Sequence, residues 1–403
     1  MITALLFDLD GTLLDNELGT FVPAYFQLLA AHLASAVAPG KLIPHLLAAT
    51  QAMIANADPT RTLREVFDEV FYTPLGLDRA ALARTIEEFY QEKFPSLESL
   101  TGRRPEARAV IEWALASNLQ IGIATAPLFP LAAVEERLRW AGVSPSEFGY
   151  AIVSSYETMR FSKPRPEHYA ELIAKMGKRP NETLMVGNDW LDDIVPAAEA
   201  GLRTYWIDAR SARPPTNRRQ PDGRGTLADF LRWARDDRCL ESLTPLPPTP
   251  ASVLAQLRGN LAAFHSAFES VPDRKRRPSE AEWSLTEITC HLRDVEAEVN
   301  LPRLKRIAGE AEPFVSAADT DPWAEARNYQ SQDCERALED FTRARLATLD
   351  FVASFPPEVW SRPARHAILG RTTSTELVSF MAEHDRIHLE QIKALYFATA
   401  RSK

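Results

Sequence analysis

Ile2-Thr3-Ala4-Leu5-Leu6-Phe7-Asp8-Leu9-Asp10-Gly11-Thr12-Leu13 is the stretch whose reading decides the fold. Residues 2–7 form a short apolar run, which predicts a buried strand. Two aspartates follow at once. Alternation along an extended chain points Asp8 and Asp10 the same way and turns Leu9 into the packing. Gly11 permits a sharp departure of the backbone. Adjacent carboxylates repel, so a shared proton or a cation must compensate them. In an open α/β sheet, ligands bind beyond the carboxyl ends of the strands, the place these acids would occupy.

Similar apolar runs recur at residues 119–125, 150–154, 183–186 and 204–207. Helical patterns over 107–117, 131–140, 166–176 and 193–200 lie between most of them. Strands alternating with helices predict a doubly wound parallel sheet covered on both faces. Between the first strand and the helix near residue 107, strand signals are missing. The stretch reads as helices, among them 20–33, 42–55 and 78–94, inserted as a unit over about residues 16–100. Residues 210–225 are rich in Pro, Arg and Gly and read as a surface loop, followed by a short amphipathic helix over 227–234.

Thr244-Pro245-Leu246-Pro247-Pro248-Thr249-Pro250 is a stiff extended linker. The expected division is an α/β domain over 1–242, a linker over 243–250 and an all-α domain over 251–403. After Pro250 strand signals vanish, and long helical patterns cover 251–271, 284–309, 332–354 and 374–398. Two open with capping boxes, Ser284…Glu287 and Thr373…Glu376. A four-helix bundle is expected.

The 403 residues are 45% hydrophobic and 25% charged, enough to build a core, so disorder throughout is excluded. A net charge of -9 offers no broad basic field, and nucleic acid is not an expected partner. The cysteines Cys239, Cys290 and Cys334 form no Cys-x-x-Cys pair and no disulfide framework. That suits a reducing cytoplasm, the expected location. The N-terminus has no basic start, and no apolar run of about 18 residues occurs, so neither a signal peptide nor a membrane span is expected.

Four segments, taken in order, resemble the motifs of the haloacid dehalogenase (HAD) superfamily. They are Asp8-Leu9-Asp10-Gly11-Thr12; Thr125 at the end of the second strand; Lys163 in Ser162-Lys163-Pro164-Arg165-Pro166; and Gly187-Asn188-Asp189-Trp190-Leu191-Asp192-Asp193. The resemblance spans about residues 1–242 and implies a phosphoryl-transfer site under a helical cap. Asp8 would attack phosphorus and form an aspartyl-phosphate. Asp10 would protonate the leaving oxygen and then deprotonate the hydrolytic water. Thr125 would hold a phosphoryl oxygen, and Lys163 would stabilise the developing charge. Mg²⁺ would be held by Asp8, the Asp10 carbonyl and an acid of the last motif. Asn188 and Asp189 both compete for that place. Asp189 is favoured because a carboxylate serves Mg²⁺ better than an amide, with Asp193 as a second ligand or orienting acid and Asp192 as a helix N-terminal charge. In the cap, His32, His45, Arg61 and Arg64 are substrate-reading candidates by type alone.

His384 and His388 stand one helical turn apart and share a face, a spacing ready to chelate a metal. His291 lies on another helix, and three neutral imidazoles suit Zn²⁺ or Ni²⁺. The segments Trp283–Glu296 and Glu383–Ile392 resemble the DinB/YfiT-like bundle family, over residues 251–398. That resemblance implies a three-histidine metal site with an open position for water or substrate. Cys290 faces about 100° from its neighbour His291 on an ideal helix and reads as packing. His265 and His366 have no helical partner in reach.

The expected activity is Mg²⁺-dependent hydrolysis of a small phosphorylated metabolite through Asp8. Asp10 argues against halide displacement from carbon, since relatives with that chemistry use no metal and lack the second acid. A mutase stays open. The competing expectation places the principal activity in the bundle, as a metal- and thiol-dependent transferase or isomerase. Alternatively the bundle could be a regulatory module or pair two chains as a homodimer.

Overall fold

The computed structural model describes residues 1–207, 218–368 and 370–400, and it divides into two compact units, Met1–Leu246 and Pro247–Lys403. In the first unit, a parallel sheet among the described residues runs in the order Ile152–Val153, Gln120–Ile123, Ala4–Phe7, Thr183–Gly187, Arg203–Ile207, Gly223–Gly225. In chain order this is 3-2-1-4-5-6, the doubly wound arrangement. The direction of winding reverses between Ala4–Phe7 and Thr183–Gly187, and a crevice opens at their carboxyl ends. The central strands are fully buried, as runs covered on both faces must be.

Gly223–Gly225 corrects the loop expected over 210–225. Three glycine and arginine residues give no apolar run, and pairing with Arg203–Ile207 supplies the strand that propensity does not. Residues 210–217 of that expected loop lie outside the described residues.

The inserted helices are Leu18–His32, Pro39–Ala55, Leu63–Leu75 and Arg79–Glu88, continued by a π turn and a 3₁₀ segment to Leu100. The chain enters and leaves this cap through a two-residue ladder, Leu14–Asp15 against Gly102–Arg103. Leu63–Leu75 is absent from the helices read above, although Thr62 and Glu65 make a full capping box at its start. The same helix start is tied to the sheet domain: Leu63 N–H donates to Met159 O at 2.9 Å and Arg64 N–H to Tyr156 O at 2.8 Å.

The second unit is a bundle of Pro250–Ser270, Leu285–Val295 continued to Gly309, Cys334–Ala353 and Ser374–Ala400. The first helix packs on the last, and the second on the third. The second helix is interrupted by a π turn at Glu296–Asn300, just ahead of Pro302. Both expected capping boxes form: Glu287 N–H reaches Ser284 Oγ at 3.3 Å, and Glu376 N–H reaches Thr373 Oγ1 at 3.3 Å. Strands are not absent here, contrary to the sequence reading. Phe314–Val315, Pro363–His366 and Gly370–Thr373 form a small sheet. They are too short and too polar to show a period of two. No helix among the described residues is long and apolar enough to cross a membrane.

Gly122 lies on Gln120–Ile123, between Ile152–Val153 and Ala4–Phe7, where an added Cβ would stand 2.7 Å from Leu6 Cδ2 and 3.0 Å from Met176 Sδ. Gly122→Ala therefore overfills a packed layer and should cost about 1–3 kcal/mol. Urea denaturation of the full chain reads this. An unchanged midpoint would mean that the layer above the strand gives way freely.

Candidate active site and candidate metal centre

Asp8 is the first residue past Ala4–Phe7, at the reversal point of the sheet. Its N–H bonds Val186 O at 3.0 Å, which ties it to the neighbouring strand end. Thr125 is two residues past Gln120–Ile123 and is buried. Its carbonyl accepts from Ser154 Oγ at 2.8 Å. Because Phe7 pairs with Ile123, Asp8 and Thr125 emerge at the same end of adjacent strands.

Lys163 closes the site. Its ammonium donates to Asp8 Oδ1 at 2.7 Å and to Asp193 Oδ1 at 2.5 Å, and all three side chains are buried. Burial pushes the Asp8 carboxyl up to about 7, with Asp193 and Asp10 adding to the rise and Lys163 opposing it. Burial also works against the Lys163 charge, but Asp193 and Asp8 outweigh it and hold the ammonium well above the usual lysine range. Lys163 is therefore a fixed cation beside Asp8. Gly187 has no room for a side chain, since a Cβ would meet Asp193 Oδ2 at 2.4 Å.

The expectation for Asp189 is corrected. Its side chain is exposed and caps the following turn, with Oδ1 accepting from Leu191 N–H at 2.7 Å and Asp192 N–H at 2.8 Å. Free backbone donors at a helix start draw in an aspartate at the N-cap position. Asn188 faces the site instead. Its Oδ1 accepts from Thr12 Oγ1 at 3.1 Å. The same corner of the amide stands 3.1 Å from the Asp10 carbonyl oxygen and 3.2 Å from Asp8 Oδ2. An oxygen facing two oxygens has no proton between them. Two arrangements satisfy the cluster: an amide turned so that its NH₂, with two hydrogens, faces the three oxygens, or a divalent cation seated among them. Gly11, at φ +83°, makes the close approach feasible, because a Cβ there would lie 2.5 Å from the Asn188 amide.

Asp10 has partners the sequence reading missed. Oδ1 accepts from Asn16 Nδ2 at 2.7 Å, and Oδ2 pairs with Arg137, which is fully buried on Leu131–Trp140. Arg137 also lies over the Phe129 ring at 4.5 Å. The available signal was its position: it shares the apolar stripe of Val134 and Leu138, where a lone arginine requires a buried anion. The cap candidates do not gather at the site. His32 bonds Thr85 O, His45 bonds Lys41 O, Arg61 pairs with Glu69, and Arg64 is exposed.

In the bundle, His291, His384 and His388 bring one ring nitrogen each to a single point. His384 Nε2 stands 3.2 Å from His291 Nε2 and 3.1 Å from His388 Nε2. A tetrahedral ion with bonds of ~2.0–2.1 Å has ligand edges of about 3.3 Å. One ring proton can serve only one of these contacts, whereas an ion in the centre serves all three. Burial is the leading cause that lowers all three imidazoles, His291 to about 3 and His384 and His388 to about 4, so they stand neutral at pH 7. Gln391 Oε1 orients His388 through Nδ1 at 2.8 Å, and Trp283 stacks on His388 at an interplanar angle of 5°. Cys290 is buried with Ala324, Tyr329 and Ala337. His265 bonds Thr342 Oγ1 at 3.0 Å on a neighbouring helix.

Next to the triad lies a buried ionic network with one residue from each helix. Arg345 donates to Asp385 Oδ2 at 2.5 Å and to Glu296 Oε2 at 2.9 Å, and Asn260 Nδ2 donates to Asp385 Oδ2 at 3.3 Å. Glu296 stands on the π turn, whose extra residue re-aims side chains on that helix.

Fold and site together define a capped, doubly wound hydrolase-type domain joined to a bundle with a three-imidazole nest. Residues 2–201 match the family of haloacid dehalogenase-like hydrolases, and residues 256–392 match the DinB superfamily, so the chain joins one domain of each family. It is 29% identical over 176 residues to a phosphoserine phosphatase of Thermus thermophilus, which covers 43% of this chain and 64% of that protein. It is 24% identical over 207 residues to the pyrophosphatase PpaX of Oceanobacillus iheyensis, covering 50% of this chain and 82% of that one. Among solved structures, YfiT from Bacillus subtilis, described as a probable metal-dependent hydrolase with an unusual four-helix bundle topology, superposes with a TM-score of 0.34. It has 16% identity and covers 38% of this chain and 90% of its own.

The three depressed histidines set a pH dependence. Between their folded values and the ordinary value of 6.5, the unfolded chain binds more protons than the folded one. Stability from this cluster is thus full above about 6.5 and is lost as pH falls toward about 4. Thermal melts of metal-stripped protein should show the bundle transition dropping between pH 7 and pH 4.5. A flat Tm would mean that the imidazoles are solvated.

Proposed function

We propose that the first unit hydrolyses a small phosphate ester with Mg²⁺, through an aspartyl-phosphate on Asp8. The observation that carries this reading is the convergence of Asp8 Oδ2, the Asp10 carbonyl and the Asn188 side-chain amide, set against the Lys163 ammonium at the sheet's reversal point. Asp8, the Asp10 carbonyl and Asn188 Oδ1 would hold the ion, and Asp193 would act by fixing Lys163. The ion would neutralise charge between the carboxylates and the incoming phosphoryl group. Asp8 attacks phosphorus from the strand end, and Lys163 stabilises the phosphoryl oxygens as charge develops on them. Thr125, on the adjacent strand end, binds a phosphoryl oxygen. Asp10 passes a proton to the leaving oxygen and later takes one from water. The phosphatase relatives support the same reaction class.

A second reading concerns the bundle, favoured by the convergence of three neutral imidazole nitrogens. His291, His384 and His388 would hold Zn²⁺ or Ni²⁺ and leave a position open for water or substrate, the pattern of catalytic rather than structural zinc. The domain would then be a second metal-dependent enzyme.

Asp8→Asn should lower phosphatase turnover about a thousandfold or more with the fold kept. EDTA should stop hydrolysis and Mg²⁺ restore it. Release of halide from 2-haloacids by metal-free protein, with no phosphate released from esters, would overturn the assignment. Asn188→Ala should raise the Mg²⁺ requirement about tenfold or more, whereas Asp189→Ala should leave it near the parent value. The reverse order would put the ion on Asp189.

His388→Ala should lower Zn²⁺ or Ni²⁺ content, measured by elemental analysis, and leave phosphate release intact. Loss of both in a folded protein would couple the two units.

A further inference from the structure

The bundle holds a cavity of about 620 Å³, within the range of pockets that enclose a small organic ligand. Its walls are apolar, with Val299, Leu304, Leu377 and Met381 among them. Phe380 and Ile387 also line it, yet they remain 45% and 44% exposed, so apolar surface faces solvent at its mouth. Of the three converging imidazoles, His384 is the one that borders the cavity.

The charge in the lining is that of Arg303, and no carboxylate borders the cavity among the described residues. His366 also borders it, as an imidazole whose pKa burial and the neighbouring Arg303 lower. Arg303 is half-buried, and burial lowers its pKa, the mark of a cation short of compensation. Its hydrogen bond goes to a backbone carbonyl, that of Ser316 at 2.5 Å. Arg293, Arg327, Arg345 and Arg386 of the same unit each pair with a carboxylate. A guanidinium presents a planar fork suited to a carboxylate or a phosphate.

We propose that this cavity binds a small amphipathic anion. The head pairs with Arg303, near His366, and the apolar body lies along the Val299, Leu304 and Met381 walls beside His384. The proposal names a ligand class for the bundle reading given above and rests on that reading for its catalytic meaning. Binding itself needs no metal.

The test is calorimetric titration of the full, metal-stripped chain with n-alkanoates from butanoate to decanoate, and with alkanols and alkyl phosphates of equal length. Kd should fall about fourfold per added methylene until the cavity is full. Alkanoates should bind at least about tenfold more tightly than matched alkanols, as a charge-assisted pair allows. Arg303→Gln should erase that difference with Tm unchanged, and Met381→Trp should weaken every ligand by filling the space. Tighter binding of the phosphate or of the carboxylate identifies the preferred head, and either result upholds the anion site. No binding, equal binding of alkanol and alkanoate, or affinity independent of chain length overturns it. Metal content is measured separately. Alkanoate binding by a protein that takes up no metal sustains this site and sinks the three-histidine reading, while metal uptake without alkanoate binding does the opposite.

Discussion

A lysine ammonium sealed between two carboxylates governs the first unit. Asp8, Lys163 and Asp193 come from three separate stretches of chain, and each is at most 6% exposed. None of these charges could be buried alone, because desolvation of an unpaired ion costs several kcal/mol. Together they lock the loop after Ser162 and the turn after Gly187 against the end of the sheet. The bundle repeats the device, with Arg345 between Glu296 and Asp385 and all three side chains at 0–1% exposure. In the first unit the cation shared by two acids is part of the candidate site, and in the second it lies next to it.

The alternation of strands and helices was legible because the central strands are buried on both faces and read as apolar runs. The bundle was legible from its long periodic helices and its two capping boxes. What escaped the sequence lay where tertiary contacts override local signal. Gly223–Gly225 is a strand because Arg203–Ile207 pairs with it. The small sheet of the second unit has no period to read. Asp189 and Asn188 are adjacent, and preferring the carboxylate on grounds of charge ignored the competing demand of the helix start for an N-cap. Arg137 and Arg345 sit on apolar helix faces, a sequence signal that points to a buried anion without saying which one.

The two donor sets also differ in kind. The first gathers carboxylate, carbonyl and amide oxygens, which suit a hard cation that keeps part of its water. The second gathers three imidazoles held neutral by burial, which suit a borderline transition metal. Three neutral imidazoles are a poor donor set for Mg²⁺, so the second set would not draw that ion from the first. The same burial that neutralises the imidazoles makes them unstable to acid, so an ion in the nest would also extend the pH range of the bundle.

Asp10 carries the sharpest constraint on the proposed chemistry. Its carboxylate is engaged at both oxygens, by Asn16 and by Arg137. To reach a leaving oxygen it must give up at least part of that pairing. Arg137 is fully buried, and its Nη2 already lacks a hydrogen-bond partner. Leaving the guanidinium uncompensated would cost about 3–5 kcal/mol, or two to four powers of ten in rate. The cost falls only if a second anion approaches as the carboxylate turns away. A phosphorylated substrate brings that anion with it, and a neutral molecule or a bare water does not. On this argument Arg137 would make the movement of Asp10, the proposed acid–base group, conditional on substrate charge. In the proposed chemistry, the clamp that holds Asp10 at rest would then restrict its action to anionic substrates.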